Sequence, residues 1–242
     1  MAVPGRMPLF RILQSQGYGS RRECRALIAA ERVRVAGEPL LDAERELAVD
    51  DLVLNVDGED FRYRRYAYLA LNKPAGYECS HAPRDHPGVF SLLPKTLNRR
   101  GVQCVGRLDQ DTTGLLLFSD DGAFIHQLAS PKRAIGKTYR VRCRHPLSEA
   151  TIAALLAGVV LRDDPAPVAA RHCEMLDEHT LRLTIGEGRY HQVKRMLAAA
   201  GNRVEALERL AIGAYALPPE LPAGAWTWLE DDDLRALLDT PA

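Results

Sequence analysis

No run of apolar residues here approaches the roughly 20 that a membrane-spanning helix needs, so no membrane role is expected. The opening stretch Met1 to Phe10 lacks an apolar h-region, and no secretory signal is expected from it. Cysteine is sparse and scattered: Cys24, Cys79, Cys104, Cys143 and Cys173 stand singly, with no CxxC pair. Disulfides and a structural zinc site are therefore not expected, and a reducing cytoplasm is the simplest setting. The cysteines read as small buried hydrophobes. Net charge is absent too, with 32 Lys and Arg against 32 Asp and Glu, which argues against a uniformly basic nucleic-acid binder. Signatures of common enzyme classes are missing: there is no GxSxG and no HExxH. Gly136-Lys137-Thr138 has the ending of a phosphate-binding P-loop, but the glycine required before it is Pro131. His81, Asp85 and His86 could be drawn as metal ligands, yet their loop is broken by Pro83, Pro87 and Gly88, and no metal is expected there.

The charge that is present is segregated. From Arg6 to Arg34 seven arginines face only Glu23 and Glu31; from Val35 to Asp60 acids dominate. Lys132, Arg133, Lys137, Arg140, Arg142 and Arg144 follow one another with no acid between them, and Glu230 to Asp233 is acidic. Such asymmetry suits a polyanion bound on particular faces; solvated surface charge is the bland alternative.

A chain of 242 residues allows one core domain and a small accessory module. Leu9 to Gln16 reads as a short helix stopped by Gly17 and Gly19. Ser20-Arg21-Arg22-Glu23 is a capping box that opens a second helix, running to about Ala30. Cys24, Leu27 and Ile28 share one face of it, which leaves Arg21, Arg22 and Arg25 largely outside. Short strands are expected around Val33 to Val35 and Leu52 to Val56, with Gly37 and Asp57-Gly58 as turns. The polar stretch from Gly58 to Arg65 reads as a linker. Beyond it, strand-like runs recur at Tyr68 to Leu71, Val102 to Val105, Leu115 to Phe118, Tyr139 to Cys143, Leu181 to Ile185 and Val204 to Leu207. Helices are expected between Ser148 and Gly158, and from Tyr190 to Ala200. This gives a module over residues 1–58, a linker over 59–66 and a main domain over 67–242. Strands and helices mix without regular alternation, so the fold class is α+β.

Three segments carry chemistry. Gly106-Arg107-Leu108-Asp109-Gln110-Asp111-Thr112-Thr113-Gly114 is a polar loop held between two apolar strands, where reactive side chains concentrate. Asp109 there can be a nucleophile or a general base, or it can cap a tight turn. In Gly186 to Leu197, two glycines lead into a helix whose stripe is Val193, Met196 and Leu197. His191, Lys194 and Arg195 project elsewhere. A helix start rich in cations suits phosphate or an ionised carboxylate, or is simply surface. In Lys137 to Arg144, alternation puts Tyr139, Val141 and Cys143 on one face and cations on the other. Tyr139 can stack a base or be core.

Taken together, these segments resemble the RsuA-type pseudouridine synthases, which modify ribosomal RNA. Leu71-Asn72-Lys73-Pro74-Ala75-Gly76-Tyr77, Gly106 to Leu117, Lys137-Thr138-Tyr139, Glu187 to Met196 and Arg209-Leu210-Ala211-Ile212-Gly213 are similar to the family's motifs, in the same order. Pro8 to Val56 resembles the S4 RNA-binding module of this family, although its opening, Pro8-Leu9-Phe10-Arg11, departs from the usual Arg-Leu-Asp-Lys-like run. The resemblance implies a mixed, largely antiparallel sheet with flanking helices and a central cleft, preceded by the small S4-like module. It implies an isomerase without cofactor or metal. Asp109 would be the essential carboxylate, Tyr139 would stack on the base, and Lys194 would pair with Asp109. Ile212 and Leu115 would pack the pocket. RNA would be held by Arg107, Arg21, Arg22, Arg25, Lys73, Arg189, His191 and Arg195. The partner would be ribosomal RNA or a subunit assembly intermediate, met by a cytoplasmic monomer. The loop from Cys79 to Pro87 and the run Arg189 to Met196 look most like the branch acting on 16S rRNA. A 23S rRNA enzyme of the same family and a non-catalytic RNA-binding assembly factor are the alternatives; a hydrolase using Asp109 and Asp111 is a third.

Overall fold

The computed structural model describes residues 5–130, 133–162 and 164–239. Lys132, part of the basic run noted above, lies outside them. The chain divides into two compact units, Met1–Ala67 with Leu93–Gln103, and Tyr68–Leu92 with Cys104–Ala242.

The first unit contains β1 (Arg6–Pro8), α1 (Leu9–Ser15), α2 (Arg21–Ala29), β2 (Val33–Val35), β3 (Glu38–Pro39), β4 (Glu46–Ala48), β5 (Val53–Val56) and β6 (Glu59–Arg62), and the returning stretch adds α3 (Lys95–Arg100). β3-β2-β5-β6 form an antiparallel sheet, and β1 pairs with β4. The apolar faces of α1 and α2 close on it through Leu9, Ile12, Leu13, Cys24 and Ile28, against Val33, Leu54 and Val56. Each such fully buried aliphatic side chain contributes roughly 1.5–3 kcal/mol. The capping box forms: the Ser20 hydroxyl accepts from Glu23 N, and the Glu23 carboxylate takes the Ser20 N–H.

The stretch expected as a linker is partly sheet. Asp57 and Gly58 both have positive φ, 55° and 89°, and form the two-residue turn that matches strand twist in a hairpin. They return the chain as β6, in register Val56↔Glu59 and Leu54↔Phe61. β6 lies at the sheet's edge and is mostly exposed. A polar composition is what such an edge requires, and that composition imitates a linker.

The second unit starts with β7 (Tyr68–Lys73) and resumes at Cys104, within β8 (Gln103–Val105). After β8 come β9 (Thr113–Ser119), α4 (Gly122–Ala129), β10 (Lys137–Cys143), α5 (Glu149–Ala157), β11 (Val159–Leu161), β12 (Asp164–Val168), β13 (His172–Met175), β14 (Thr180–Ile185), α6 (Gln192–Ala199), β15 (Val204–Ile212), β16 (Tyr215–Ala216), β17 (Trp226–Trp228) and α7 (Asp231–Leu238). Nine strands form one sheet with the path β13-β14-β10-β15-β9-β7-β17, β16 adding to β15 and β8 to β9. Along that path β15 and β9 run parallel and the other neighbours antiparallel. Leu115, Leu116, Leu117 and Phe118 of β9 are all fully buried, as a strand covered on both faces must be. Leu115 and Leu117 join Phe124, Leu128, Ile212 and Tyr215 in one core cluster.

Helix α6 begins two residues later than its sequence suggests. His191 is its N-cap in the left-handed conformation (φ 47°), so the helix opens at Gln192.

Candidate active site

The loop between β8 and β9 is fixed from below. The Lys73 side chain, with no exposed surface, passes under it and donates to the carbonyls of Gln110 (3.1 Å), Thr112 (2.8 Å) and Pro74 (3.1 Å). Burial lowers the Lys73 pKa, against the pull of Cys79, Asp111 and Asp109. The loop closes on itself through Thr112 N to Asp109 O (3.1 Å), and Leu108 N donates to the Cys79 sulfur (3.4 Å). It leaves through Gly114, at φ 94°, where any Cβ would come within 2.3 Å of the Arg209 carbonyl. Glycine is required there because β9 and β15 meet in parallel at Arg209↔Gly114.

So held, Asp109 faces two basic groups from the β14–α6 connection and α6 itself. Lys194 Nζ is 3.0 Å from Asp109 Oδ2, and His191 Nε2 is 3.2 Å from Oδ1. Lys194 also bonds both oxygens of Asp111, at 2.7 and 2.9 Å. Burial alone would lower the Lys194 pKa; hydrogen bonds and charge from Asp111 and Asp109 outweigh it and leave it above the ordinary lysine value. Asp111 follows the same pattern, burial raising its pKa and Lys194 lowering it further, to a net decrease. The carboxylate of Asp109 opens onto a cavity of about 310 Å³, whose wall includes Tyr139, Lys137, Arg209, Thr112, Ile212 and Arg189. That is the small end of ligand-pocket sizes, with room for a compact planar ring. A carboxylate held by an ammonium beside a buried aromatic can attack an electrophilic carbon or take a proton from one.

Residues 67–199 match the family model described as RNA pseudouridylate synthase, and residues 7–53 match the S4 domain. The "Ribosomal small subunit pseudouridine synthase A" of Escherichia coli (strain K12) is 36% identical over 233 residues, covering 96% of this chain and 100% of the relative. A Bacillus subtilis relative, "Uncharacterized RNA pseudouridine synthase YtzG", is 35% identical over 240 residues, 98% of this chain and 100% of its own. A solved structure titled "Crystal structure of pseudouridylate synthase" superposes with a TM-score of 0.68 at 34% identity, covering 96% of this chain and 99% of that one. The chain belongs to the RNA pseudouridylate synthase family. It is accordingly an isomerase with the α+β fold of that family, preceded by an S4 domain.

Within this pseudouridine synthase the structure brings Asp109, Tyr139, Lys194, His191, Arg107, Arg189 and Ile212 to one region, all but Lys194 lining the cavity directly. Leu115 is fully buried behind it. Arg189 is already paired, with Asp164 and with Glu187 at 3.0 Å. Arg195 donates to the Tyr190 carbonyl (3.2 Å). His81 stacks on Phe90, and His86 meets Gln110 (3.0 Å). In the first unit Arg21 and Arg22 are exposed; Arg21 and Arg25 lie over the Phe10 ring, and Arg25 pairs with Glu44. Lys73 corrects its sequence expectation: an ammonium with no exposed surface cannot meet an RNA phosphate, and its three carbonyl partners make it a brace. Sequence reasoning missed Lys137, Thr112 and Arg209 as cavity residues, although Lys137 and Arg209 each open a quoted motif.

The brace predicts a stability effect. Lys73→Met removes the ammonium from the buried Thr112 carbonyl and the part-buried carbonyls of Pro74 and Gln110, the last of which keeps the Gly76 N–H, a loss of about 3 kcal/mol. Thermal denaturation should show a drop of roughly 6–12 °C; an unchanged melting temperature would show that the loop does not need the brace.

Proposed function

We propose that this chain isomerises one specific uridine of 16S rRNA to pseudouridine, with Asp109 as the catalytic carboxylate. The observation that carries the reading is the meeting of Asp109 and Tyr139 at one small cavity, with Lys194 from a third segment 3.0 Å from the Asp109 carboxylate. Uridine in folded RNA must leave its stack to reach such a site. Its N-glycosidic bond is broken, the ring turns, and it rejoins C1′ through C5. No redox step and no phosphoryl transfer is involved, so side chains suffice. Tyr139 stacks on the extruded ring, Ile212 packs against it with Leu115 behind, and Lys194 holds Asp109 in place. His191 orients the other carboxylate oxygen. Arg107, exposed at the rim, meets the RNA backbone, as do Arg21, Arg22 and Arg25 of the S4 domain, through charge that is strong locally despite a net of zero.

Likeness to the E. coli relative over nearly the whole of both chains supports the small subunit as target. The working unit is a cytoplasmic monomer acting on rRNA or on a subunit assembly intermediate. Mapping pseudouridines in rRNA from cells with and without the gene tests this directly. One 16S position should lose its modification. A lost 23S position would move the target to the large subunit, and an unchanged map would leave an RNA-binding assembly role instead.

A further inference from the structure

Four side chains from two neighbouring strands floor the cavity, and a β-bulge puts them there. β10 and β15 pair Lys137 with Ile212 and Thr138 with Ala211, but then Tyr139 with Arg209, so Leu210 has no partner on β10. Arg209 and Ile212 lie three residues apart, an odd spacing that a regular pleat sends to opposite faces. The unpaired residue resets the alternation, and Arg209 and Ile212 join Lys137 and Tyr139 at the cavity wall.

Two of these four are cations, and among the described residues neither forms an ion pair. Arg209 is 2% exposed. Its Nε donates to the Leu115 carbonyl (2.7 Å), while Nη2 is enclosed and has no partner. Lys137 Nζ reaches only the Ile135 carbonyl, at 3.3 Å. The Thr112 hydroxyl, 1% exposed, is likewise enclosed and unpartnered. Enclosed donors without acceptors are costly, and adjacent cations more so. The strain registers on Lys137: burial, then the charges of Arg209 and Arg171, push its pKa down to about 8. Asp109 does not relieve it, being engaged by Lys194 and His191. The arrangement is short of one negative charge.

The reaction supplies that charge. If Asp109 displaces the base from C1′, or if C2′ loses a proton and the base is expelled, the N1–C1′ bonding pair leaves on uracil and spreads over N1 and its carbonyl oxygens. If Asp109 instead adds to C6, the displaced ring pair moves to C5 and O4. In every route the ring becomes anionic before C5 bonds to C1′ and its proton departs, and substrate and product are isomers with no co-reactant. We propose that Lys137 and Arg209 form a cationic floor that stabilises the negative charge the uracil ring carries before C5 bonds to C1′. This rests on the reading of the site as the uridine-isomerising centre.

The test follows tritium release from RNA labelled at uridine C5, with the native protein alongside. Lys137→Met should lose about 100-fold in kcat, the size of effect seen when one preorganised donor to a developing anion is removed. KM for RNA should stay within about twofold. Its melting temperature should rise by about 3 °C, because an enclosed, repelled charge has gone; a merely structural lysine would give the opposite sign. Lys137→Arg, which keeps the charge, should stay within about tenfold of native. A Lys137→Met protein with native kcat overturns the proposal, as does a Lys137→Arg protein no more active than Lys137→Met. No release by the native protein would instead refute the reading of the site itself.

Discussion

Asp109→Asn lowers pseudouridine formation by at least about 10⁴-fold while the protein folds and binds RNA as before. The side chain is about a quarter exposed and opens onto the cavity, so it contributes little packing. Asparagine keeps its shape but cannot attack carbon, take a proton or pair with an ammonium as an ion. Lys194 retains Asp111 as a partner at 2.7 Å, so no cation is stranded and the stability cost stays near about 1 kcal/mol. The cations proposed to hold the RNA backbone, Arg107, Arg21, Arg22 and Arg25, are not among the ion-pair partners of Asp109, which are Lys194 and His191, so RNA affinity should be retained. Tritium release from C5-labelled RNA measures the reaction, and filter binding at fixed salt measures the affinity. Undiminished release would remove Asp109 from the mechanism; affinity lost in step with activity would make it a binding residue.

The segments that carry Asp109, Tyr139 and Lys194 are legible in the sequence because each has its own pattern: a polar loop between apolar strands, a strand alternating aromatic with basic, a glycine-led amphipathic helix; the roles of these residues, and the choice of Ile212, come from the family resemblance rather than from pattern. Leu115 to Phe118 announces a doubly covered strand by having no alternation at all, and it is one. The capping box at Ser20 and the N-cap at Ser148 are local chemistry, fixed within four residues, and both form.

What escapes the sequence depends on partners distant in the chain. Lys73 looks like an exposed strand-end cation; only the path of residues 110–112 above it turns it into a brace. Alternation would set Arg209 opposite Ile212, and only the register slip against β10 reverses that. Nothing in Arg209 to Gly213 announces a bulge. The acidic run Glu230 to Asp233 shows in the sequence only as segregated charge; it opens α7, where Glu230 and Asp233 cap one another and negative charge suits the helix N-terminus. His191 reads as a helix residue facing phosphate or an ionised carboxylate; what the sequence does not show is the left-handed N-cap conformation through which it reaches Asp109.

Lys194→Met should cost about 10³-fold in turnover, and Lys194→Arg should recover most of it. One ammonium spans two carboxylates, Asp109 at 3.0 Å and Asp111 at 2.7 Å. Methionine keeps the stem but leaves two like charges two residues apart on one loop, without the ammonium that spanned them. Like charges so close disfavour joint ionisation, and the loop relieves them by moving, which spoils the aim of Asp109; small misplacements of a reacting group are expensive. Guanidinium offers a planar fork that can bridge both carboxylates, hence the recovery. The double variant Lys194→Met with Asp111→Asn separates the two effects, because it removes the repulsion without restoring the cation. It should be about tenfold more active than Lys194→Met alone, a coupling that independent sites would not show. The sign of the pH dependence is fixed by the shifts. Asp111 is lowered in the folded state, so its contribution is present above the ordinary carboxylate range and lost as pH falls through the lowered value. Lys194 is raised, so its contribution is complete below the ordinary lysine range and lost as pH climbs through the raised value. The difference in melting temperature between native and Lys194→Met should therefore be flat across neutral pH and shrink only at the acid and alkaline extremes. A difference that changes steadily through pH 6–8 would mean that the Lys194 pairs with Asp109 and Asp111 are not what holds the network together.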